Sequence, residues 1–203
     1  IGGVTLTAYG LLWSAFTSLR IPRCTADQSR EIKTTTTFFG PLLRQRDLWL
    51  LALSYAAYGY FQYLFFYWMG YYFKEILQVP DVEARWASFW IMLSQGAGMV
   101  VGGMCTDFVC RSMGTIHGRR LIVITGMGLG GLFGLLGVNV TDQNSVAISL
   151  AISMAALGLC EGVFWTTATD IGRSSPGFSA AFMNTGGNVG GLFSPVLTPL
   201  MAQ

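Results

Sequence analysis

Six apolar stretches, each close to the length of a membrane span, take up almost the whole chain: 1–19, 47–73, 86–106, 121–138, 146–168 and 178–202. A helix needs ~20 mainly apolar residues to cross the hydrocarbon layer of a bilayer. The chain is therefore expected to be all-α, a polytopic membrane helix bundle. Charge agrees: 11% of the residues are charged, against about a quarter in an ordinary soluble domain. The longest polar segment, 20–46, is threonine-rich and weakly patterned, too short for a soluble catalytic domain. Any function must lie within the bundle or at its rims.

Ile1 enters directly into an apolar run with no basic flank, which is not the build of a signal peptide, and Gln203 follows Met201-Ala202 without a tail. Both ends read as truncated. The cysteines, Cys24, Cys105, Cys110 and Cys160, show no CxxC spacing and have no histidine set near them, so neither zinc nor a disulfide frame is indicated. They read as small hydrophobes in packed helices.

Basic residues fix an expected orientation. Arg20, Arg23, Arg30, Lys33, Arg44 and Arg46 lie in the first connection, Arg111, Arg119 and Arg120 in the third, and Arg173 in the fifth. The second has only Lys74 and Arg85, and the fourth has none. Positively charged loops stay on the cytoplasmic side, which places 20–46, 107–120 and 169–177 inside. An Asn139-Val140-Thr141 triplet on the outer side hugs a helix end and reads as a chance glycosylation match.

Glycines recur at four-residue spacing: Gly98 and Gly102, then Gly126, Gly130 and Gly134, then Gly187 and Gly191. Small residues so spaced form a groove along a helix that lets another backbone approach. Gly126-Met-Gly128-Leu-Gly130-Gly131 is not a dinucleotide loop, because no strand precedes it and no ribose-binding acid follows in place. His117, the only histidine, sits beside Gly118-Arg119-Arg120 with no partner set and is given no catalytic role.

Ionisable groups at membrane depth usually face a cavity or a partner. Two qualify: Glu161, well inside the fifth span, and Asp107, at the inner end of the third. Glu161 is the foremost candidate, able to carry a proton or to accept hydrogen bonds, and Trp165 shares its face four residues on. The sixth span is the least lipid-like, with Asn184 and Asn188 on one face beside glycines and prolines. Two carboxamides there suit a polar ligand in a wet cavity, or an interhelical clamp worth about 1 kcal/mol per bond. The second span is aromatic along its length, one face carrying Tyr55, Tyr58 and Gln62, another Tyr60, Tyr63 and Tyr67. The pattern does not say which of the two is wet.

Gly103-Met-Cys-Thr-Asp107, Arg111 and Gly118-Arg119-Arg120 together resemble the loop between helices eight and nine of major facilitator transporters, where an acid and basic residues latch the cytoplasmic side. Gly59 to Trp68, Glu161-Gly-Val-Phe-Trp165 and Phe182 to Pro195 look like helices seven, ten and eleven of the anion:cation symporter branch, which includes sugar-acid permeases and sialin-like carriers. The resemblance implies that 1–19 ends helix six, 20–46 is the cytoplasmic interdomain loop, and 47–203 is a C-terminal bundle of helices seven to eleven, with helix twelve missing. It implies a secondary active transporter, not an enzyme, in the cell membrane (inner or plasma); the alternatives are a drug–proton antiporter of the same superfamily, against which the paired asparagines argue, and a membrane-embedded enzyme, for which the sequence offers no nucleophile, base or metal cluster. An organic anion would move with H⁺ or Na⁺, by alternating access between this half and a missing N-terminal half, with no other cofactor and no nucleic-acid partner. Expected substrate contacts are Asn184, Asn188, Trp165, Tyr60, Tyr63 and Gln62, with Glu161 for coupling and Asp107, Arg111, Arg119 and Arg120 as the latch.

Overall fold

A computed structural model describes residues 39–173 and 175–201. The chain divides into two units, Ile1–Thr37 and Phe38–Gln203, and every described element belongs to the second. The expected span 1–19, Cys24 and residues 20–38 of the interdomain loop lie outside the described residues.

The described residues are helical, with no strand among them: α1 (Phe39–Leu43), α2 (Arg46–Tyr71), α3 (Asp81–Met113), α4 (Thr115–Asn139), α5 (Gln143–Gly172) and α6 (Pro176–Met201). Three of them, α3, α4 and α5, are both long and apolar enough to cross a membrane. The remaining two long helices, α2 and α6, have 26 residues each, about 39 Å at 1.5 Å per residue and enough for a core of roughly 30 Å. Their tyrosines, asparagines and glycines dilute the apolar character, and these two least lipid-like helices are the ones that pack most extensively on each other.

Several local signals set the ends. Asp142 caps α5, accepting hydrogen bonds from Ser145 N at 2.9 Å and Ser145 Oγ at 2.8 Å. Those bonds hold its carboxyl below the usual carboxylate range. Pro176 opens α6 at a position where its missing N–H costs nothing. At its C-terminal end α2 widens into a π-helical turn, Tyr72–Ile76, in which Leu77 N reaches back five residues to Tyr72 O at 3.0 Å. Gln78 follows with φ 54°, and the Lys74–Asp81 ion pair at 2.8 Å spans the connection to α3.

The connections are shorter than the hydropathy pattern suggests. The segment 107–120, expected as a loop, is helical apart from Gly114, whose φ of 82° separates α3 from α4. Asp107 and Arg111 therefore lie on the last turns of α3, and His117, Arg119 and Arg120 on the first turns of α4. Charged side chains end an apolar run without ending a helix, since Arg is a good helix former. Past its own apolar run, α5 likewise continues through 169–172.

The centre of the bundle is α5, which touches α2, α3, α4 and α6 and buries Met154, Leu157, Cys160, Phe164 and Ala168. Outward faces are apolar and exposed, as at Leu53, Val100, Leu135, Ile148 and Leu192. Lipid tails offer those side chains as good a home as another helix, so association rests on close packing and interhelical hydrogen bonds. Ser94 Oγ donates to Ala151 O (2.7 Å), Ser153 Oγ to Gly130 O (2.7 Å) and Ser179 Oγ to Ala168 O (2.5 Å), tying α3, α4 and α6 to α5.

The glycine faces all meet other helices. Gly126 abuts Cys160 and Ala156 of α5, Gly130 faces Ser153, and Gly134 faces Phe61. One joint is built twice. Ala56-Ala57-Tyr58-Gly59 of α2 and Ala155-Ala156-Leu157-Gly158 of α5 are alike in sequence and serve alike. Gly59 abuts the Gly187 carbonyl while Gly190 abuts Ala56, and Gly158 abuts the Gln95 carbonyl while Gly98 abuts Ala155. At each of these points a side chain would collide with backbone.

Candidate functional site

The polar groups at membrane depth fall into two clusters joined by α2. The first surrounds Glu161. Tyr55 Oη donates to Glu161 Oε1 at 2.9 Å, and Trp165 Nε1, one turn along α5, donates to the same oxygen at 2.8 Å. The second oxygen, Oε2, is buried and has no hydrogen-bond partner among the described residues. Tyr55 stacks on Tyr58 with centroids 5.2 Å apart and planes 6° from parallel, and both rings lean on Phe164. Tyr58 is wholly buried and accepts a hydrogen bond from Gln95 Nε2 at 3.3 Å, with Gln95 itself 4% exposed. The acid is thus held within a knot of α5, α2 and α3 side chains, while Trp165 remains 38% exposed at its edge.

The second cluster lies between α2 and α6. Tyr63 Oη donates to Asn188 Oδ1 at 3.0 Å, and Asn188 Nδ2 donates to Asn184 O, also at 3.0 Å. Further along, Tyr60 Oη and Thr198 Oγ1 share a hydrogen bond of 3.3 Å. The glycines of α6 make this approach possible, because Gly187 and Gly191 lie flat against the Tyr55 and Tyr63 rings. The Asn184 side chain is exposed, Gln62 is half-buried, and neither makes a side-chain hydrogen bond among the described residues.

The two faces of α2 are therefore distinguished. Tyr55 and Tyr58 turn to α5 and α3, and Tyr60 and Tyr63 turn to α6. The Tyr55 ring that reaches Glu161 also lies against Gly187, between Asn184 and Asn188, so the two clusters adjoin each other. Among the described residues no hydrogen bond joins them directly; α2 is the link. The interhelical clamp considered for the asparagines is present at Asn188.

At the far end of α5 an ion pair joins α4 to α5. Arg119 Nη1 binds Asp170 Oδ2 at 2.6 Å. Among the described residues Asp107 makes no ion pair with Arg111, Arg119 or Arg120. Gln95, Phe164 and Asp170 were missed in the sequence. Gln95 carries no charge to flag it, and its signal is an amide within an apolar run that also holds Ser94 and Gly98.

A bundle of long apolar helices with a carboxylate and paired carboxamides held at membrane depth defines a polytopic membrane protein with a polar interior. The model of the Major Facilitator Superfamily matches residues 1–195, and the chain belongs to that family. Membership accords with the reading that the chain is no enzyme. The hexuronate transporter of Bacillus subtilis (strain 168) is 24% identical over 96% of this chain and 49% of its own length. A probable sulfoacetate transporter, SauU, of Cupriavidus necator is 27% identical over 75% of this chain and 36% of its own length. Human sialin is 25% identical over 77% of this chain and 32% of its own length. The chain thus spans about half or less of the relatives it matches.

Proposed function

We propose that this chain forms part of a secondary active transporter that moves an organic anion, a sugar acid or another carboxylate, together with H⁺ or Na⁺, by alternating access between two helical halves of the cell membrane protein. Two of the relatives are named for transport of hexuronate and sulfoacetate, both organic anions. The excess of basic residues in 107–120 and 169–177 supports a cytoplasmic position for both segments.

The observation that carries this reading is Glu161. Its Oε1 accepts from Tyr55 and Trp165, and its Oε2 is buried without a hydrogen-bond partner among the described residues. A carboxylate at membrane depth is costly unless something neutralises it, and the free oxygen is where a proton, a sodium ion or a substrate hydroxyl would sit. In this reading Trp165 walls the site, and Asn184, whose amide is uncommitted, hydrogen-bonds the substrate. Tyr63 positions Asn188, and Tyr60 holds α2 on α6.

The test is uptake of labelled hexuronate by the full-length protein in proteoliposomes. Glu161→Gln keeps an acceptor for Tyr55 and Trp165 but cannot exchange a proton. It should lose accumulation driven by a pH or sodium gradient while retaining exchange of substrate across the membrane. Wild-type accumulation in that variant would remove Glu161 from the mechanism. Asn184→Ala should raise the substrate KM about fivefold, the worth of one hydrogen bond; unchanged uptake would remove Asn184 from the site.

A further inference from the structure

Between α2 and α4, on the flank of α5, lie two cavities, one beyond the other along these helices. One, of about 470 Å³, lies at the start of α4 and is lined by Arg119 and Arg120 together with the hydroxyls of Ser54, Thr115 and Thr167. Its remaining wall is apolar, including Leu51, Val123, Ile124 and Phe164. The other, of about 220 Å³, lies further along the same three helices, is almost wholly apolar, and is bordered by Phe65, Trp68, Gly131 and Leu135. Arg119 is committed to Asp170. Arg120 is exposed and has no ion-pair or hydrogen-bond partner among the described residues, and Ser54 and Thr115 likewise keep their hydroxyls free there.

We propose that the two cavities form one groove that binds one anionic phospholipid of the cytoplasmic leaflet, its phosphate at Arg120, Thr115 and Ser54 and one acyl chain laid between α2 and α4 towards Gly131. Charge and length both select this occupant. The two arginines stand at the end of the apolar span 121–138, the level of lipid headgroups. From Arg120 to Gly131 is eleven residues, about 16 Å of helix, which matches half of a hydrocarbon core of roughly 30 Å. Basic pockets between membrane helices on the cytoplasmic side suit anionic headgroups. The choice of leaflet rests on the orientation proposed above; the choice of lipid does not.

Native mass spectrometry of the full-length protein tests it, with phosphatidylglycerol, phosphatidylcholine and inorganic phosphate as probes. Phosphatidylglycerol should be retained as a single bound copy in preference to phosphatidylcholine. Arg120→Gln should weaken it about fivefold, and Ile124→Trp, which fills the apolar wall without touching charge, should also displace it. Inorganic phosphate should not compete at comparable concentration. Equal retention of the two lipids, or indifference to both substitutions, would overturn the proposal and mean that another helix of the full-length protein covers the groove. Competition by phosphate alone would also overturn it, leaving a simple anion site. Labelling of a cysteine introduced at Ile116 from each side of the membrane reports the leaflet separately.

Discussion

Gly96 and Gly98 stand two residues apart on α3 and should respond oppositely to the same substitution. A methyl group added at Gly98 would lie 2.9 Å from the Cα and the carbonyl carbon of Ala155, while one added at Gly96 would meet nothing within 4 Å. Carbon atoms in contact sit about 3.5–4.0 Å apart, so Gly98→Ala must push α3 and α5 apart by at least about 0.6 Å. The obstacle is backbone, which has no rotamer to give. A gap of that size forfeits roughly a quarter or more of each dispersion contact along the joint, and overpacking of this kind costs about 1–3 kcal/mol; the upper end is expected. Gly96→Ala instead gains about 0.5–1 kcal/mol from the better helix former. Heat unfolding of the full-length protein in detergent, with helicity as the signal, reads both. Adding Gly158→Ala to Gly98→Ala supplies a second check. Its methyl group would strike the Gln95 carbonyl across the same joint, so the double variant should lose much less than the two single losses combined. A Gly98→Ala protein within about 0.5 kcal/mol of wild type, or an equal loss in Gly96→Ala, would refute the backbone-on-backbone account.

Tyr63→Phe removes the bond to Asn188 Oδ1 but keeps the ring against Gly191. The loss should be about 0.6 kcal/mol, the usual worth of such bonds within membranes, and a denaturation midpoint measures it. At the start of α5, Asp142→Ala should lower the melting temperature near neutral pH, because the carboxylate caps Ser145. The folded carboxyl is held below its ordinary value. The cap's contribution is therefore fully present above about pH 3.9 and disappears as the pH falls through the lower folded value. The wild-type and Asp142→Ala melting curves should accordingly converge only in strong acid, and a constant gap down to that range would contradict the capping role.

The five expected spans that fall on described residues were legible in the sequence because an apolar run of span length allows few alternatives. The expected span 47–73 became α2, 46–71, and 178–202 became α6, 176–201. The glycine grooves were legible too, since spacing alone puts Gly98 and Gly102, or Gly187 and Gly191, on one side. Partners were not legible. Nothing in the pattern of α2 says that Tyr55 reaches Glu161 while Tyr63 reaches Asn188, because both faces carry phenols and the choice is made by which helix stands opposite. The Arg119–Asp170 pair escaped for a related reason. Arg119 is on α4 and Asp170 on α5, 51 residues apart in the chain, and no spacing pattern links them.

The π-helical turn at Tyr72–Ile76 makes α2 unequal in its tolerance of length change. A residue deleted between Tyr55 and Tyr63 would rotate everything beyond it by about 100° and draw it back about 1.5 Å, so the hydroxyls on its two sides could no longer reach α5 and α6 together. A residue deleted within Tyr72–Ile76 would let the widened turn relax into ordinary α-helix, beyond the last of those hydroxyl contacts. Insertions and deletions among related chains should accordingly collect at this end of α2, where the helix already carries the slack of one residue.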